Sequence, residues 1–221
     1  LFVMLYIIST PIGNIEDITY RAIRILQECN VIFCEDTRRT GKLLSHYKIK
    51  NKLDTYNDIN KKRRTPIIVE LLKNGNDIAL VSDSGTPGIN DPGFYLIREC
   101  INQNIDIVPI PGPSSILAGL VCSGLPTDKF TFLGFIPKTS GKRLKLIESL
   151  KEKDETIILL ESPHRIQKTL KAMSETIPEK NIVIARELTK KFEEFIRGSV
   201  LEVYEKIKDR TIKGEIVLVV N

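Results

Sequence analysis

The chain has 221 residues and carries 33 Lys and Arg against 28 Asp and Glu, a formal net charge of +5. At 42% hydrophobic and 28% charged, its composition is that of an ordinary globular protein and argues against a disordered, collagenous or membrane-spanning chain. No run approaches the ~18 uninterrupted apolar residues of a membrane span, and the apolar start at residues 1–8 lacks the basic segment of a secretion signal, so a cytoplasmic protein is expected.

In chain order, apolar runs at 5–9, 31–34, 78–82 and 105–110 read as buried strands, with helical patterns at 20–29, 66–74, 94–104 and 114–123 between them. Such βαβα alternation predicts a mostly parallel sheet flanked by helices, with binding sites at the carboxyl ends of its strands. Turn formers at 123–128 interrupt the pattern, and a domain boundary is expected there, giving domains 1–124 and 125–221. The second half reads as α+β: strands at 130–136, 156–161, 182–187, 192–197 and 215–220, and helices at 140–151, 163–175 and 200–207. Residues 1–124 hold 14 basic and 13 acidic side chains and the remainder 19 and 15, so most of the excess charge falls in the second half.

Cys29, Cys34, Cys100 and Cys122 show no CxxC spacing, and His46 and His164 are the only imidazoles. No structural zinc site is expected, and the cysteines read as small reduced core residues. The chain also lacks a GxGxxG fingerprint, a GxxxxGK[ST] loop, HExxH and GxSxG, which argues against nicotinamide redox chemistry, P-loop hydrolysis and serine hydrolysis.

Four loops follow predicted strands. The densest, residues 82–93 (SDSGTPGINDPG), combines three glycines and two prolines, so its backbone can approach a ligand while staying rigid; Asp83 there can accept hydrogen bonds from hydroxyls. Pro111, Gly112, Pro113, Ser114 and Ser115 open a predicted helix, where free N–H groups suit a carboxylate or phosphate, although Ser and Pro are also ordinary helix starters. Residues 10–14 (TPIGN) follow the first strand. Residues 35–40 (EDTRRT) follow the second and read either as a solvated charge run or as a cluster holding an anion. In the second half, Ser162 and Pro163 have the grammar of a helix start; His164 and Arg165 fall in its first turn, where the helix dipole disfavours cations, and that placement suggests a functional reason for them.

Taken in order, TPIGN, EDTR, SDSGTPGINDPG, PGPSS, SGLPTD, ESPHR, ARELTK and KGEIVLVV resemble the ribosomal RNA small subunit methyltransferase I family within the tetrapyrrole methylase superfamily, across nearly the whole chain. The resemblance implies a two-domain α/β fold with an interdomain active-site cleft, S-adenosylmethionine as methyl donor, a homodimer, and 2′-O-methylation of a cytidine in the 16S ribosomal RNA of the small subunit. Carried over by motif, the donor site comprises Pro11, Gly13, Ser82, Asp83, Ser84, Gly85, Thr86, Pro87, Gly88, Pro111, Gly112, Pro113, Ser114, Ser115, Gly214, Glu215 and Ile216. RNA-side candidates are Arg38, Arg39, Arg165, Arg186, Glu187, Lys190, Lys142 and Arg143. Asp36 and His164 are the first candidates for contact with the reacting ribose, each lying in a matching motif at an element end; Glu187 and Lys190 are chemically able as well.

The chain departs from the family at residues 55–60, TYNDIN, where a SYHEHN-like stretch is usual. Asn57 and Ile59 replace both histidines, so neither can be a required base here. Further basic clusters, Lys61, Lys62, Arg63 and Arg64 with Lys138 and Lys145, read as RNA-docking surface or as solvated helix faces. Two other readings use the same fold: a tetrapyrrole C-methyltransferase, and a noncatalytic binding module.

Overall fold

The structure, a computed structural model, describes residues 3–221; the first two residues of the apolar start, Leu1 and Phe2, lie outside the described residues. The chain divides into two compact units, the first ending at Ser114 and the second beginning at Ser115.

The first unit is built on five parallel strands in the order β3-β2-β4-β1-β5: β1 (Met4–Ile8), β2 (Val31–Cys34), β3 (Leu53–Thr55), β4 (Ile78–Val81) and β5 (Asp106–Ile110). Every residue of β2 and β4 is buried, which is why their sequences VIFC and IALV show no polar alternation: a parallel strand is covered on both faces. Ala79 and Val81 pack with Ala22, Ile25 and Leu26 of α1 (Tyr20–Glu28). Ile78 and Leu80, on the opposite face, pack with Ile68 and Leu72 of α3 (Lys61–Lys73) and with Leu96 and Cys100 of α4 (Gly93–Asn102). Each buried Val, Leu or Ile among them contributes roughly 1.5–3 kcal/mol by leaving water, so these two layers hold the strand ends in place.

The apolar runs miss two elements. Residues 37–46 form α2 (Thr37–His46), not a loop; the helix buries only Thr40 and Leu44 and so carries almost no apolar stripe. β3 has three residues, too few for a periodicity. In addition, α3 begins at Lys61, with Pro66 inside it, because the N–H groups of Lys61 and Arg64 already find the carbonyls of Asn57 and Asn60. The basic run 61–64 is therefore the first turn of a helix.

The second unit opens with α5 (Ser115–Val121) and holds a mixed sheet in the order β6-β7-β10-β8-β9: β6 (Phe130–Phe135), β7 (Thr156–Glu161), β8 (Asn181–Arg186), β9 (Glu194–Ser199) and β10 (Ile216–Val220). β6 and β7 are parallel and the other pairings antiparallel. One face is covered by α6 (Ser140–Ser149), α7 (Ile166–Thr176) and α8 (Val200–Ile207) through Ile147, Leu170, Met173, Val203 and Ile207. A reciprocal capping box between Ser199 and Glu202 starts α8.

The expected boundary lies at 124/125, while the compact units meet at 114/115. The cause is α5: at Gly119 an added Cβ would lie 3.1 Å from the Val217 side chain of β10 and 3.7 Å from Ala185 of β8, so this helix packs on the second sheet. α7 begins at Ile166, three residues after Pro163, and Pro163, His164 and Arg165 form the turn before it. β9 runs from 194 to 199, two residues later than expected. Cys29, Cys34 and Cys100 are buried, but Cys122 is exposed, which corrects the core reading for that residue.

Candidate functional site

In the first unit β4, β1 and β5 are adjacent, so the loops leaving their carboxyl ends are neighbours. Thr10 and Gly85 exchange two backbone hydrogen bonds, of 2.9 and 3.0 Å, which zip the β1 loop to the β4 loop. The Thr10 hydroxyl donates to the Ser82 carbonyl at 3.1 Å, and the Ser9 and Thr86 hydroxyls lie 2.8 Å apart. Towards β5, the Ser9 N–H donates to the Ile110 carbonyl at 3.3 Å. Gly112 approaches so closely that an added Cβ would fall 2.9 Å from the Ser9 Cβ. The loop glycines thus let three backbone segments meet where side chains would separate them.

The segment 82–93 is rigid for a reason the sequence does not announce: Asp91 Oδ1 accepts the N–H groups of Gly88 at 2.7 Å and Gly93 at 2.8 Å, closing the turn into α4. Ser82, Gly85 and Pro87 are buried and hold the loop. Gly13, Ser84, Pro111 and Gly112 are exposed, while Pro11, Asp83, Thr86, Gly88, Pro113, Ser114 and Ser115 are half-buried. These two groups offer backbone amides and carbonyls, hydroxyls and one carboxylate to a ligand. Ser115 starts a helix of seven residues, shorter than the 114–123 expected.

Beside this face, at the end of β2, Asp36 caps α2. Its carboxylate accepts the Arg38 N–H at 2.9 Å and pairs with the Arg38 guanidinium at 2.7 Å. These hydrogen bonds hold the Asp36 carboxyl well below the usual carboxylate range, so it is a poor proton acceptor. The Asp36 N–H donates to Asp83 Oδ1, and the Asp83 N–H to Glu35 Oε1, each at 3.1 Å, which ties the ends of β2 and β4 together. Arg39 reaches Asp83 at 3.5 Å. Burial pushes the Glu35 and Asp91 carboxyls up; neither was given a role from the sequence, and the DPG turn at 91–93 was the available signal for Asp91.

In the second unit, Arg165 has a structural task. It pairs at 2.6 Å with the fully buried carboxylate of Glu161 and donates to the Ile136 carbonyl at 2.9 Å. Glu161 also accepts from the Ser162 N–H and the Thr169 hydroxyl, so this buried charge is fully satisfied. The first-turn placement that suggested a functional reason for Arg165 does not apply, because the helix starts after it. His164 is exposed, with its N–H on the Ser162 hydroxyl at 3.3 Å.

The ends of β8 and β10 form a tighter cluster. Lys190 bridges Glu187 at 3.0 Å and Glu215 at 2.9 Å, and the Glu215 N–H donates to Glu187 at 3.0 Å. Burial disfavours the charged lysine, but the hydrogen bonds to Glu215 and Glu187 outweigh it and raise its pKa; Lys190 in turn lowers that of Glu187. Glu187 has φ +49° and Gly214 φ +90°, and an added Cβ at Gly214 would lie 2.3 Å from the Glu187 side chain. Ile216, the next strand residue but one, is buried. Arg186 is occupied by the Lys213 and Phe192 carbonyls and by Glu194 at 3.1 Å. Lys142 is exposed and Arg143 half-buried, its guanidinium 3.4 Å from the Lys138 carbonyl. Of the run 61–64, Lys61 pairs with Asp58 and Arg64 with Asp54, leaving Lys62 and Arg63 on the surface.

Residues 4–204 match the family described as Tetrapyrrole (Corrin/Porphyrin) Methylases. Two relatives called ribosomal RNA small subunit methyltransferase I are similar along almost the whole of both chains: that of Hydrogenobaculum is 48% identical, covering 98% of this chain and 95% of its own. That of Thermotoga maritima is 43% identical, covering 98% and 97%. Among solved structures, the uroporphyrin-III-C-methyltransferase of Thermus thermophilus has a TM-score of 0.67 at 19% identity, covering 98% of this chain and 94% of its own; at that identity the likeness is one of fold. The zipped strand-end loops, the parallel and mixed sheets and the relatives agree, and the chain belongs to the tetrapyrrole methylase family, in its ribosomal RNA small subunit methyltransferase I branch.

Proposed function

We propose that this protein transfers a methyl group from S-adenosylmethionine to the 2′-hydroxyl of a cytidine in the 16S ribosomal RNA of the small subunit. The observation that carries the reading is the near-complete, 43–48% identical match to relatives named for ribosomal RNA methylation, combined with the strand-end loops of the first unit. The loops fit the donor by their chemistry. Exposed backbone at Gly13 and Gly112 offers amides and carbonyls to an amino-acid moiety and an adenine edge. The partly exposed Asp83 carboxylate suits ribose hydroxyls, the role an acidic strand-end residue plays in nucleotide-binding α/β folds. When bound, the donor supplies an electrophilic methyl carbon on a sulfonium.

The protein's task is then positioning, since holding the acceptor oxygen about 3–3.5 Å from that carbon removes most of the entropic part of the barrier. The acceptor hydroxyl must also lose its proton. Asp36, held ionised by Arg38, is a weak acceptor for it, which leaves His164 of the two candidates as the group able to take it. Lys190, held protonated by Glu187 and Glu215, is suited to stabilise a developing alkoxide or an adjacent phosphate. Arg38, 87% exposed in its side chain, with Arg39, Lys62 and Lys142, supplies cationic surface for the RNA backbone. On this proposal the enzyme works in the cytoplasm as a homodimer.

The test is incubation with small ribosomal subunits and methyl-labelled donor, followed by nuclease digestion and mass mapping. One added ribose methyl on a single cytidine is expected. Label on a base, label only on a uroporphyrinogen offered in parallel, or no label would overturn the proposal.

A further inference from the structure

We infer that Arg39 couples the two substrates: it and the ribose of the methyl donor compete for one oxygen of Asp83, so donor binding frees Arg39 to take a phosphate of the RNA backbone. This rests on the donor and RNA reading above and adds the residue through which one ligand reports on the other.

The Asp83 carboxylate is fixed from the end of β2. Its own N–H donates to Glu35 Oε1 and its Oδ1 accepts the Asp36 N–H, each at 3.1 Å. With Oδ1 committed to the protein and the backbone tied, Oδ2 is the oxygen open to exchange. Arg39 Nε stands 3.5 Å from it, well beyond the about 2.7–2.9 Å of a charge-assisted hydrogen bond. The Asp83 side chain is 26% exposed and that of Arg39 66%, so a hydroxyl can reach Oδ2 and Arg39 can leave without disturbing the core.

Arg38 supplies the contrast. Its guanidinium donates from Nε and Nη2 to both oxygens of Asp36, at 3.0 and 2.7 Å, a two-pronged pair that resists exchange. Both arginines stand in the first turn of α2, where the helix dipole disfavours a cation, so helix stability does not account for Arg39. Ribose hydroxyls donating to Oδ2 draw on the lone pairs that hold Arg39, and the long ion pair is the weaker of the two contacts. Once displaced, the guanidinium keeps its charge, and an RNA phosphate suits its planar fork. The coupling is reciprocal and cannot exceed the strength of the pair that is broken, which for an exposed ion pair is about 2- to 5-fold in affinity.

The experiment uses the full-length chain, carrying fluorescein at its amino terminus, and small ribosomal subunits, with binding followed by anisotropy. S-Adenosylhomocysteine serves as the probe, since it keeps the nucleoside and has no methyl group to transfer. At saturation it should tighten subunit binding by wild type about 2- to 5-fold and steepen the slope of log affinity against log salt by about 0.7–0.9, the value of one phosphate contact. In Arg39→Ala the affinities with and without the probe should coincide. By calorimetry that variant should bind S-adenosylhomocysteine more tightly than wild type, by about the same 2- to 5-fold, because the competitor is gone; a merely structural Arg39 would leave this affinity unchanged or weaken it. Asp83→Asn, which keeps an oxygen for the Asp36 N–H, should bind subunits without the probe as tightly as wild type does with it. Equal subunit affinity with and without the probe in wild type, coupling that survives in Arg39→Ala, or no gain in probe affinity there would overturn the inference. Methyl transfer separates the two proposals. Coupling through Arg39 with no methylation of any cytidine sinks the methyltransferase reading alone, and methylation of one cytidine without coupling sinks this inference alone.

Discussion

Gly214→Ala perturbs the second-unit cluster at the point where backbone conformation and side-chain chemistry meet. Two costs should add. At φ +90° a residue with a Cβ is strained by about 1–2 kcal/mol. The new Cβ would also sit 2.3 Å from the Glu187 side chain, forcing that carboxylate away from the Lys190 ammonium and from the Glu215 N–H it now accepts. Losing hydrogen bonds to a charged group in this partly exposed setting should cost a further ~1–2 kcal/mol, giving about 2–4 kcal/mol in all. The two parts separate in a double-mutant cycle: with Glu187→Ala in place the obstruction is gone, and Gly214→Ala should cost only its backbone part. Urea unfolding followed by circular dichroism measures each corner. Gly141→Ala, at a helical position with ordinary φ and open space around it, should stabilise by about 0.5–1 kcal/mol and serves as the control. A Gly214→Ala cost that is the same with and without the Glu187 side chain would refute the reasoning that this glycine exists to admit the carboxylate.

Three further outcomes follow from the same geometry. Gly112→Ala places a Cβ 2.9 Å from that of Ser9 and should destabilise by about 1–3 kcal/mol while weakening S-adenosylmethionine binding about tenfold in calorimetry; unchanged affinity would remove the 111–115 loop from the donor site. Asp36→Asn keeps a capping oxygen for α2 and should lower single-turnover methyl transfer less than tenfold, whereas a loss of 10²-fold or more, the range of a lost general base, would make Asp36 the proton acceptor after all. Asp91 titrates above its ordinary 3.8 because burial disfavours its charge. The native state then binds more protons than the unfolded state from that value up to the folded one, so stability falls as pH rises through this window. Asp91→Asn, which retains an oxygen for the Gly88 and Gly93 N–H groups, should flatten this fall in urea midpoints measured from pH 3.5 to 7, and an unaltered slope would contradict the burial account.

Much of the architecture was legible because fully buried strands such as VIFC and IALV need no partner to be recognised, and because Gly and Pro mark the loops after them. The elements that escaped did so for a physical reason. α2 is helical through its Asp36 cap and neighbours, with hardly an apolar stripe, and β3 is defined only by its pairing with β2. The strand-end loops could be picked out as a candidate ligand site, but not how they hold one another. The Thr10–Gly85 exchange, the Ser9–Gly112 approach and the Asp91 clasp each join residues distant in sequence or depend on a turn geometry. Arg165 illustrates the opposite error: in a linear reading its charge at a helix start suggests a functional reason, and in the fold it is the partner of the buried Glu161 carboxylate.

The most direct measurement is isothermal titration of the folded protein with S-adenosylmethionine, wild type beside Asp83→Ala. Saturable binding at one site per chain in wild type, at least tenfold weaker in the variant, is expected if the meeting loops of β1, β4 and β5 hold the donor. Absence of heat from well-folded wild-type protein, or binding that ignores Asp83 and Gly112 alike, would contradict it.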